Sequence, residues 1–424
     1  MSADKRTVVA WSLYDFANSS FATIVLTFVY STYFTKAIAE NEIIGSSQWS
    51  RAVTISAIAV ALASPLSGSI ADRRGLRKQF LMGSTTVCIL ATVALYFPVA
   101  GQVLPALTIF VIANTANELG NVFYNAFLPD IASESNIGRI SGWAWGLGYV
   151  GGILSTVIAM VALVNTNTPW FGFTKEAGQN IRATNLLVAV WFTIFCIPLF
   201  VTFRANKPSQ SDKTIHPYRM LLASYRDIRS HPQITRFLIA RLVYNDGLVA
   251  IFSFGGIYAA GTFSFTFEEI MVFGIVMNSA AGIGAFVMGS IDDRFGGKTT
   301  IYVTLAAFLL GAIGAVTAES RLLFWISAVT ISTFAGPNQS ASRSLMGRFV
   351  PKQKVNEYYG FFSFSGKVTA FIGPLMIGEL TRAFKSQRVG VSSIILLFLI
   401  GGILLTRVNE KEGIAEAAKG ANNH

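Results

Sequence analysis

Long apolar runs dominate this chain of 424 residues and limit what it can fold into. A helix needs about 20 consecutive apolar residues to cross the ~30 Å hydrocarbon core of a bilayer. Because lipid offers no hydrogen-bond partners, such a run can only be a helix whose backbone groups are paired internally. The sequence predicts twelve spans, at 10–36, 51–71, 79–98, 103–125, 140–164, 183–203, 236–259, 268–290, 299–317, 321–343, 357–379 and 388–407.

Composition excludes the other classes that a chain of this length would suggest. Hydrophobic residues make up 52% of it and charged residues only 13%, whereas soluble domains carry about 25% charged residues. The net charge of +11 does not indicate nucleic-acid binding, because Lys and Arg lie in short segments between the apolar runs and form no single patch. Cys88 and Cys196 lie inside apolar runs without CxxC spacing, so we expect no disulfide, metal site or cofactor.

The distribution of positive charge predicts the orientation in the membrane. With the amino terminus inside, the inner segments hold 22 of the 33 Lys and Arg residues and the outer loops hold 8. Short loops rich in Lys and Arg remain in the cytoplasm. We therefore expect an integral protein of the inner (plasma) membrane with both termini cytoplasmic.

An internal repeat predicts the architecture. The segment GSIADRRG at 68–75 recurs at 289–296 as GSIDDRFG, and each copy ends an apolar span. At the same shift Asn117 corresponds to Asn338. Such parallel repeats are related by an axis along the membrane normal. We predict a six-helix bundle at 1–204, a cytoplasmic linker at 205–235 with an amphipathic helix over 218–228, a second bundle at 236–407 and a cytoplasmic tail at 408–424.

The repeated segments are predicted to form a cytoplasmic gate. Asp72 and Asp293 can accept hydrogen bonds from a helix N-terminus or from an Arg of a neighbouring helix. Gly75 and Gly296 are expected to adopt the positive φ of a tight turn. Arg343 and Arg348 are the predicted partners of Asp293. The gate residues are Gly68, Asp72, Arg73, Gly75, Gly289, Asp293, Arg294, Gly296 and Arg343.

Polar residues inside the spans are the candidates for binding a solute, since each is costly in lipid. Span 4 places five of them on one helical face, from Asn114 to Asn125. Two alternatives remain open: these groups bind helices together, or some charges, such as Arg241 and Asp246, pair only with each other. The predicted substrate-binding residues are Asp15, Asn18, Asn114, Asn117, Glu118, Asn121, Arg241, Asn245, Asp246, Asn338 and Lys367.

The mixed signs of these groups predict a cavity that holds an ammonium on one side and a carboxylate on the other. Glu118 and Asp15 are the candidates for taking up a coupling proton. The glycines at 146, 148 and 151 match a dinucleotide fingerprint, but no strand precedes them and they lie inside an apolar span. We predict no catalytic residues.

The repeated G-x-x-x-D-R-x-G between spans 2 and 3 and spans 8 and 9 resembles the signature loop of the major facilitator superfamily. Five further segments, at 11–19, 125–130, 141–149, 244–247 and 365–367, resemble its vacuole-effluxer branch. The resemblance implies two six-helix bundles that rock around a central site formed by helices 1, 4, 7 and 10. It also implies amino-acid efflux, which is linked to the eukaryotic members of that branch.

The sequence thus predicts an all-α integral membrane protein with a major-facilitator-type fold. Its predicted function is secondary active transport of a small polar solute, an amino acid or short peptide, by proton-coupled efflux. The alternatives are a sugar or organic-ion transporter of the same fold, a membrane-embedded enzyme, and a non-transporting receptor or scaffold. The expected partners are the solute, H⁺ and the bilayer, and we expect a monomer that binds no nucleic acid.

Overall fold

The computed structural model describes residues 4–203 and 226–422, and all regular structure in these two ranges is helical. Twelve long helices follow one another where the spans were predicted. They are α1 (Lys5–Ile38), α2 (Glu42–Arg74), α3 (Arg77–Ala94), α4 (Val103–Asn125), α5 (Ile137–Val164), α6 (Gln179–Thr202), α7 (Pro232–Phe263), α8 (Phe267–Phe295), α9 (Gly297–Thr317), α10 (Arg321–Phe349), α11 (Val355–Lys367 and Ile372–Phe384) and α12 (Gln387–Thr406).

Ten of the helices in the described ranges are long and apolar enough to cross a membrane. The other two, α3 and α10, are more polar: α3 begins with Arg, Lys and Gln, and the second half of α10 carries Asn338, Gln339 and several Ser residues. Their position in the bundle is consistent with twelve spans. The span predicted at 357–379 lies within the candidate membrane span Lys352–Phe384, but its helix α11 is interrupted by turns at 368–371, a break that was not predicted.

Local sequence explains where the helices begin and end. Asn41 caps α2 by accepting a 2.9 Å hydrogen bond from the backbone N–H of Ile44, and Thr266 and Glu269 form a capping box at the start of α8. Gly75 and Gly296 end α2 and α8 with φ of 65° and 90°, which confirms the positive φ predicted for both.

The helices form two halves, α1–α6 and α7–α12, which meet where α2 packs on α11 and α5 packs on α8. We call the side that carries the two repeated segments the motif face. Close to this face the backbones of the halves touch: a Cβ on Gly68 would lie 2.3 Å from the carbonyl oxygen of Asn356, and one on Gly142 would lie 2.4 Å from that of Ala285. The halves are therefore tightly closed against each other on the motif face.

The predicted tail at 408–424 contains a helix, α13 (Glu410–Asn422), that packs beneath α7 and α10. Glu410 accepts 2.9 Å hydrogen bonds from the backbone N–H groups of Gly297 and Lys298 at the start of α9. No feature of the sequence predicted this docking. The amphipathic helix predicted over 218–228 lies outside the described residues apart from 226–228.

Candidate functional site

The repeated aspartates join the two halves on the motif face. Asp72, at the end of α2, accepts hydrogen bonds from the backbone N–H of Asn356 and Glu357, at 3.2 and 2.7 Å. Asp293, at the end of α8, accepts from the backbone N–H of Gly138 and Arg139, at 2.7 and 3.0 Å. Each carboxylate therefore caps the first turn of a helix in the opposite half, where the helix dipole favours negative charge.

A buried arginine stabilises the α8 end of this contact. Arg348 lies 2.6 Å from Asp292, 3.6 Å from Asp293 and 3.7 Å from Glu410 of α13. Asp292, one of the two positions at which the repeats differ, is thus the closest partner of Arg348. Of the other predicted gate residues, Arg294 lies over the ring of its neighbour Phe295 and Arg73 is partly exposed at the end of α2.

Replacing both aspartates with asparagine should loosen the motif face. Each substitution removes charge-assisted hydrogen bonds worth about 1.5–3 kcal/mol, so amide hydrogens at 138–139 and 356–357 should exchange with solvent at least about tenfold faster in the double variant. Hydrogen–deuterium exchange of the purified protein measures this. Asp130→Asn is the control, because Asp130 pairs with Arg77 inside one half. Unchanged exchange at both helix starts would contradict the gate assignment.

The expected pairing of Arg343 with Asp293 is wrong. Arg343 of α10 instead extends into the other half, where its Nη1 lies 3.0 Å from Oδ2 of Asp15 on α1 and 3.2 Å from Oδ1 of Asn125 on α4. Its Nε and Nη2 donate to the hydroxyl and the carbonyl of Ser141 on α5. The side chains of Arg343 and Asp15 are 3% and 14% exposed, so this is a nearly buried ion pair between the halves.

The polar face of α4 divides into a central and a peripheral part. Asn114 donates to the hydroxyl of Ser56 on α2 at 2.6 Å, and both Asn114 and Asn117 are buried. Asn121 accepts a 2.6 Å hydrogen bond from Asn18 of α1. Of the polar residues on this face of α4, Glu118 and Asn125 contact the opposite half.

Glu118 forms the central contact between the halves. Nζ of Lys367 donates to its Oε1 at 2.8 Å, and the two side chains keep 19% and 32% exposure. Such values are high for charges at the middle of two membrane helices, and they show that neither side chain is fully enclosed by protein atoms. Of the ion pairs that join α1–α6 to α7–α12 in the part of the chain that the structure describes, this pair is more exposed than the pair of Arg343 and Asp15.

Lys367 is the last residue of the first segment of α11, just before the break. The next segment begins at Ile372, and its Gly373 N–H donates to Oδ2 of Asp246 on α7 at 2.8 Å. Asn245, the neighbour of Asp246, donates to the carbonyl of Gly366 at 3.1 Å. Two polar residues of α7 thus bind the backbone on both sides of the break, as expected for irregular backbone inside a membrane protein.

Three predicted site residues, Asn338, Asn114 and Arg241, bond within their own half. Asn338 donates to the hydroxyl of Thr304 inside the second half and is fully buried, and Asn114 is held in the first half in the same way. Arg241 does not pair with Asp246; it donates to the carbonyl of Phe362 at 2.8 Å and lies over that residue's ring. For these residues the structure favours the alternative in which polar groups bind helices together.

Sequence reasoning also missed several contact residues. No contact between the halves was predicted for Ser141 or Asn356, because a single Ser or Asn near a helix start carries no signal of a partner in another half. Trp11, Tyr124 and Trp145 surround the guanidinium of Arg343, with ring centroids 4.8, 5.8 and 5.6 Å from its Cζ. Aromatic residues of this kind are common in membrane helices, so their convergence on one cation is visible only in the structure.

Two pseudo-symmetric six-helix halves, closed by repeated loops around central charges, define a membrane transporter of the major facilitator type. The whole chain has the fold of the solved proton:xylose symporter XylE bound to 6-bromo-6-deoxy-D-glucose, with a TM-score of 0.75 over 98% of each chain at 12% identity. Residues 38–418 match the family described as "Vacuole effluxer Atg22 like", and the chain belongs to that family.

Curated relatives agree with this assignment. The chain is 27% identical over 407 residues to the MFS-type transporter YxiO of Bacillus subtilis (strain 168), covering 95% of this chain and 94% of that protein. It is 21% identical to autophagy-related protein 22 of Yarrowia lipolytica over 71% of its own length. The chain spans about half the length of such fungal relatives, 55% in this case.

Proposed function

We propose that this protein is a secondary active transporter that moves an amino acid or short peptide by alternating access, driven by protons. The observation that carries the proposal is the ion pair between Glu118 and Lys367. Each charge comes from a different half, and both side chains remain partly exposed. A zwitterionic solute offers an ammonium to Glu118 and a carboxylate to Lys367, so it can replace the pair charge for charge.

The same pair supports proton coupling. When a solute or a rocking motion separates Lys367 from Glu118, the carboxylate is left without its cation in a low-dielectric site. An unpaired charge at this depth costs about 2.5–3.5 kcal/mol, and uptake of a proton removes that cost. Asp15, which Arg343 neutralises on the motif side, is the second proton candidate and loses its partner when the motif face opens.

Alternating access then follows from where the contacts lie. In the conformation described here, Asp72, Asp293 and Arg343 close the motif face and the central pair remains accessible. Opening of the motif face requires these contacts to break together. Substrate that bridges Glu118 and Lys367 compensates for the lost contacts between the halves, because binding can shift a conformational equilibrium only by its differential affinity.

We further propose that the motif face is cytoplasmic and that solute leaves the cell through a plasma membrane. The bias of Lys and Arg toward this face supports that orientation. In a chain without Cys88 and Cys196, a cysteine at exposed Ser230 should react with an impermeant thiol reagent only in opened cells. One at exposed Lys175 should react in intact cells. The reverse pattern would overturn the orientation.

A proteoliposome assay tests the function. Purified protein is reconstituted, a pH gradient is imposed, and radiolabelled amino acids, dipeptides, sugars and organic ions are screened for movement. We expect a zwitterionic compound to accumulate with the gradient and the signal to vanish when a protonophore collapses it. Movement of sugars alone would refute the proposed substrate. Movement of zwitterions without any effect of the gradient would refute the proposed proton coupling.

A further inference from the structure

The environment of Arg343 differs from that of the other buried arginines. Every group that its guanidinium contacts belongs to the first half, while Arg343 itself belongs to α10 of the second. We call these contact residues the arginine socket. They are Trp11 and Asp15 of α1, Tyr124 and Asn125 of α4, and Ser141 and Trp145 of α5.

All groups of the arginine socket suit a cation. Asp15 contributes a carboxylate, Asn125 an amide oxygen, and Ser141 both a carbonyl and a hydroxyl oxygen, at 2.7–3.2 Å from the guanidinium nitrogens. Three aromatic faces complete the enclosure, and aromatic faces attract cations that have lost their water. Arg348, by contrast, contacts carboxylates of α8 and α13 in its own half, so rocking of the halves does not empty its site.

The arginine socket must lose its occupant when the motif face opens. Arg343 moves with α10, and its socket moves with α1, α4 and α5. A desolvated carboxylate and a set of inward-facing oxygens are then left without a cation, which is unfavourable unless another cation or a proton replaces it. We propose that the transported solute supplies this cation: its ammonium or guanidinium group binds in the arginine socket in the motif-open state, and Arg343 occupies the same place in the closed state.

This inference rests on the proposed transport function and adds a second binding position for the solute on its way across the membrane. Glu118 and Asn125 are seven residues apart on α4, a rise of about 10 Å. Between them Asn121 contacts Asn18 of α1, so a polar route follows α4 from the central ion pair to the arginine socket. A solute cation that enters the arginine socket from the open motif face reaches Glu118 along this route. Return of Arg343 then displaces it from the socket, so closure of the motif face and transfer of the solute to the central ion pair are one event.

Chemical rescue of Arg343→Ala tests the socket. Methylguanidinium and methylammonium are the probes, N-methylurea is the neutral control of similar shape, and binding is followed by tryptophan fluorescence and thermal unfolding of the protein in detergent. We expect Arg343→Ala to bind the two cations at least tenfold more tightly than the wild type and to ignore N-methylurea. Adding Asp15→Asn should abolish the difference. Equal responses to cation and urea, or a response that survives Asp15→Asn, would overturn the proposal.

A second variant keeps the test independent of how well Arg343→Ala folds. Gly142→Ala, with Arg343 intact, disfavours the closed motif face by a backbone clash, and it should also bind methylguanidinium more tightly than the wild type. No gain in either variant contradicts the socket. These measurements need no transport, so the two ideas fail separately. Cation binding without amino-acid movement refutes the transport function alone, whereas zwitterion transport without cation-specific binding refutes the socket alone.

Discussion

Glu118→Gln and Lys367→Met should each lower proton-driven uptake by at least about tenfold. Removing one member of a buried ion pair costs about 3–5 kcal/mol because the other charge is left unpaired; this pair is partly exposed, so a smaller loss applies, and about 1.4 kcal/mol already gives tenfold. Glu118→Gln should also remove the dependence on the pH gradient, while exchange of solute across the membrane persists.

The control is a similar ion pair that lies within one half. Glu269→Gln breaks the 2.9 Å ion pair with Arg321. This pair joins α8 to α10 and is more exposed than the central pair, so the variant should leave uptake unchanged. The double variant of Glu118 and Lys367 separates a functional from a structural role. If the pair only holds the halves together, the double variant recovers transport and its pH profile. Recovery of this kind, or wild-type uptake in both single variants, would contradict the proposed site.

Gly68→Ala should shift the protein toward an open motif face. The added Cβ would lie 2.3 Å from the carbonyl oxygen of Asn356, a contact that exists only while α2 and α11 are closed. Inserting a methyl group into a packed contact costs about 1–3 kcal/mol, which corresponds to a shift of roughly 5- to 150-fold in the conformational equilibrium. Transport should slow because the closed state becomes rare, while the open state keeps its affinity for solute.

Distance measurements between spin labels read this shift directly. Glu134 and Gln353 are exposed on the motif face of the two halves, so labels there should show a larger population of long distances in Gly68→Ala than in the parent. Gly83→Ala is the matched control, because a Cβ at Gly83 meets nothing within 4 Å. An unchanged distribution in Gly68→Ala, or the same change in Gly83→Ala, would show that the contact does not govern closure.

The sequence predicted the fold well because its signals are local. A run of 20 apolar residues can satisfy its backbone in lipid only as a helix, and the repeat at 68–75 and 289–296 relates the halves directly. The break in α11 was missed although Pro374 signals it. Proline lacks the N–H that would bond the carbonyl of residue 370, and its ring crowds that carbonyl, which favours a break at 368–371. A proline alone does not decide the matter, because Pro65, Pro198 and Pro337 lie inside uninterrupted helices.

The site was less predictable because it depends on which helices meet. Glu118 and Lys367 were identified separately from their depth and charge, whereas their pairing follows from the packing of the halves. Arg343 shows the limit: its sequence position suits a contact with Asp293, yet its long side chain reaches Asp15 on a helix 328 residues away. Asn114 and Asn338 are amides inside predicted spans, as Asn121 is, and only their neighbours in the structure reveal that they bind helices together.

Because α11 is interrupted, its two segments contact different halves of the protein. Its first segment begins against Asp72 of the opposite half, and its second begins against Asp246 of α7. Lys367 stands at the junction of the two. Lys367 can therefore couple the two membrane faces. When the motif face opens and the first segment of α11 moves, the charge of Lys367 is displaced at the centre before the second segment tilts. The break in α11 thus acts as a hinge between two rigid segments, and the residue proposed to bind the solute lies at that hinge.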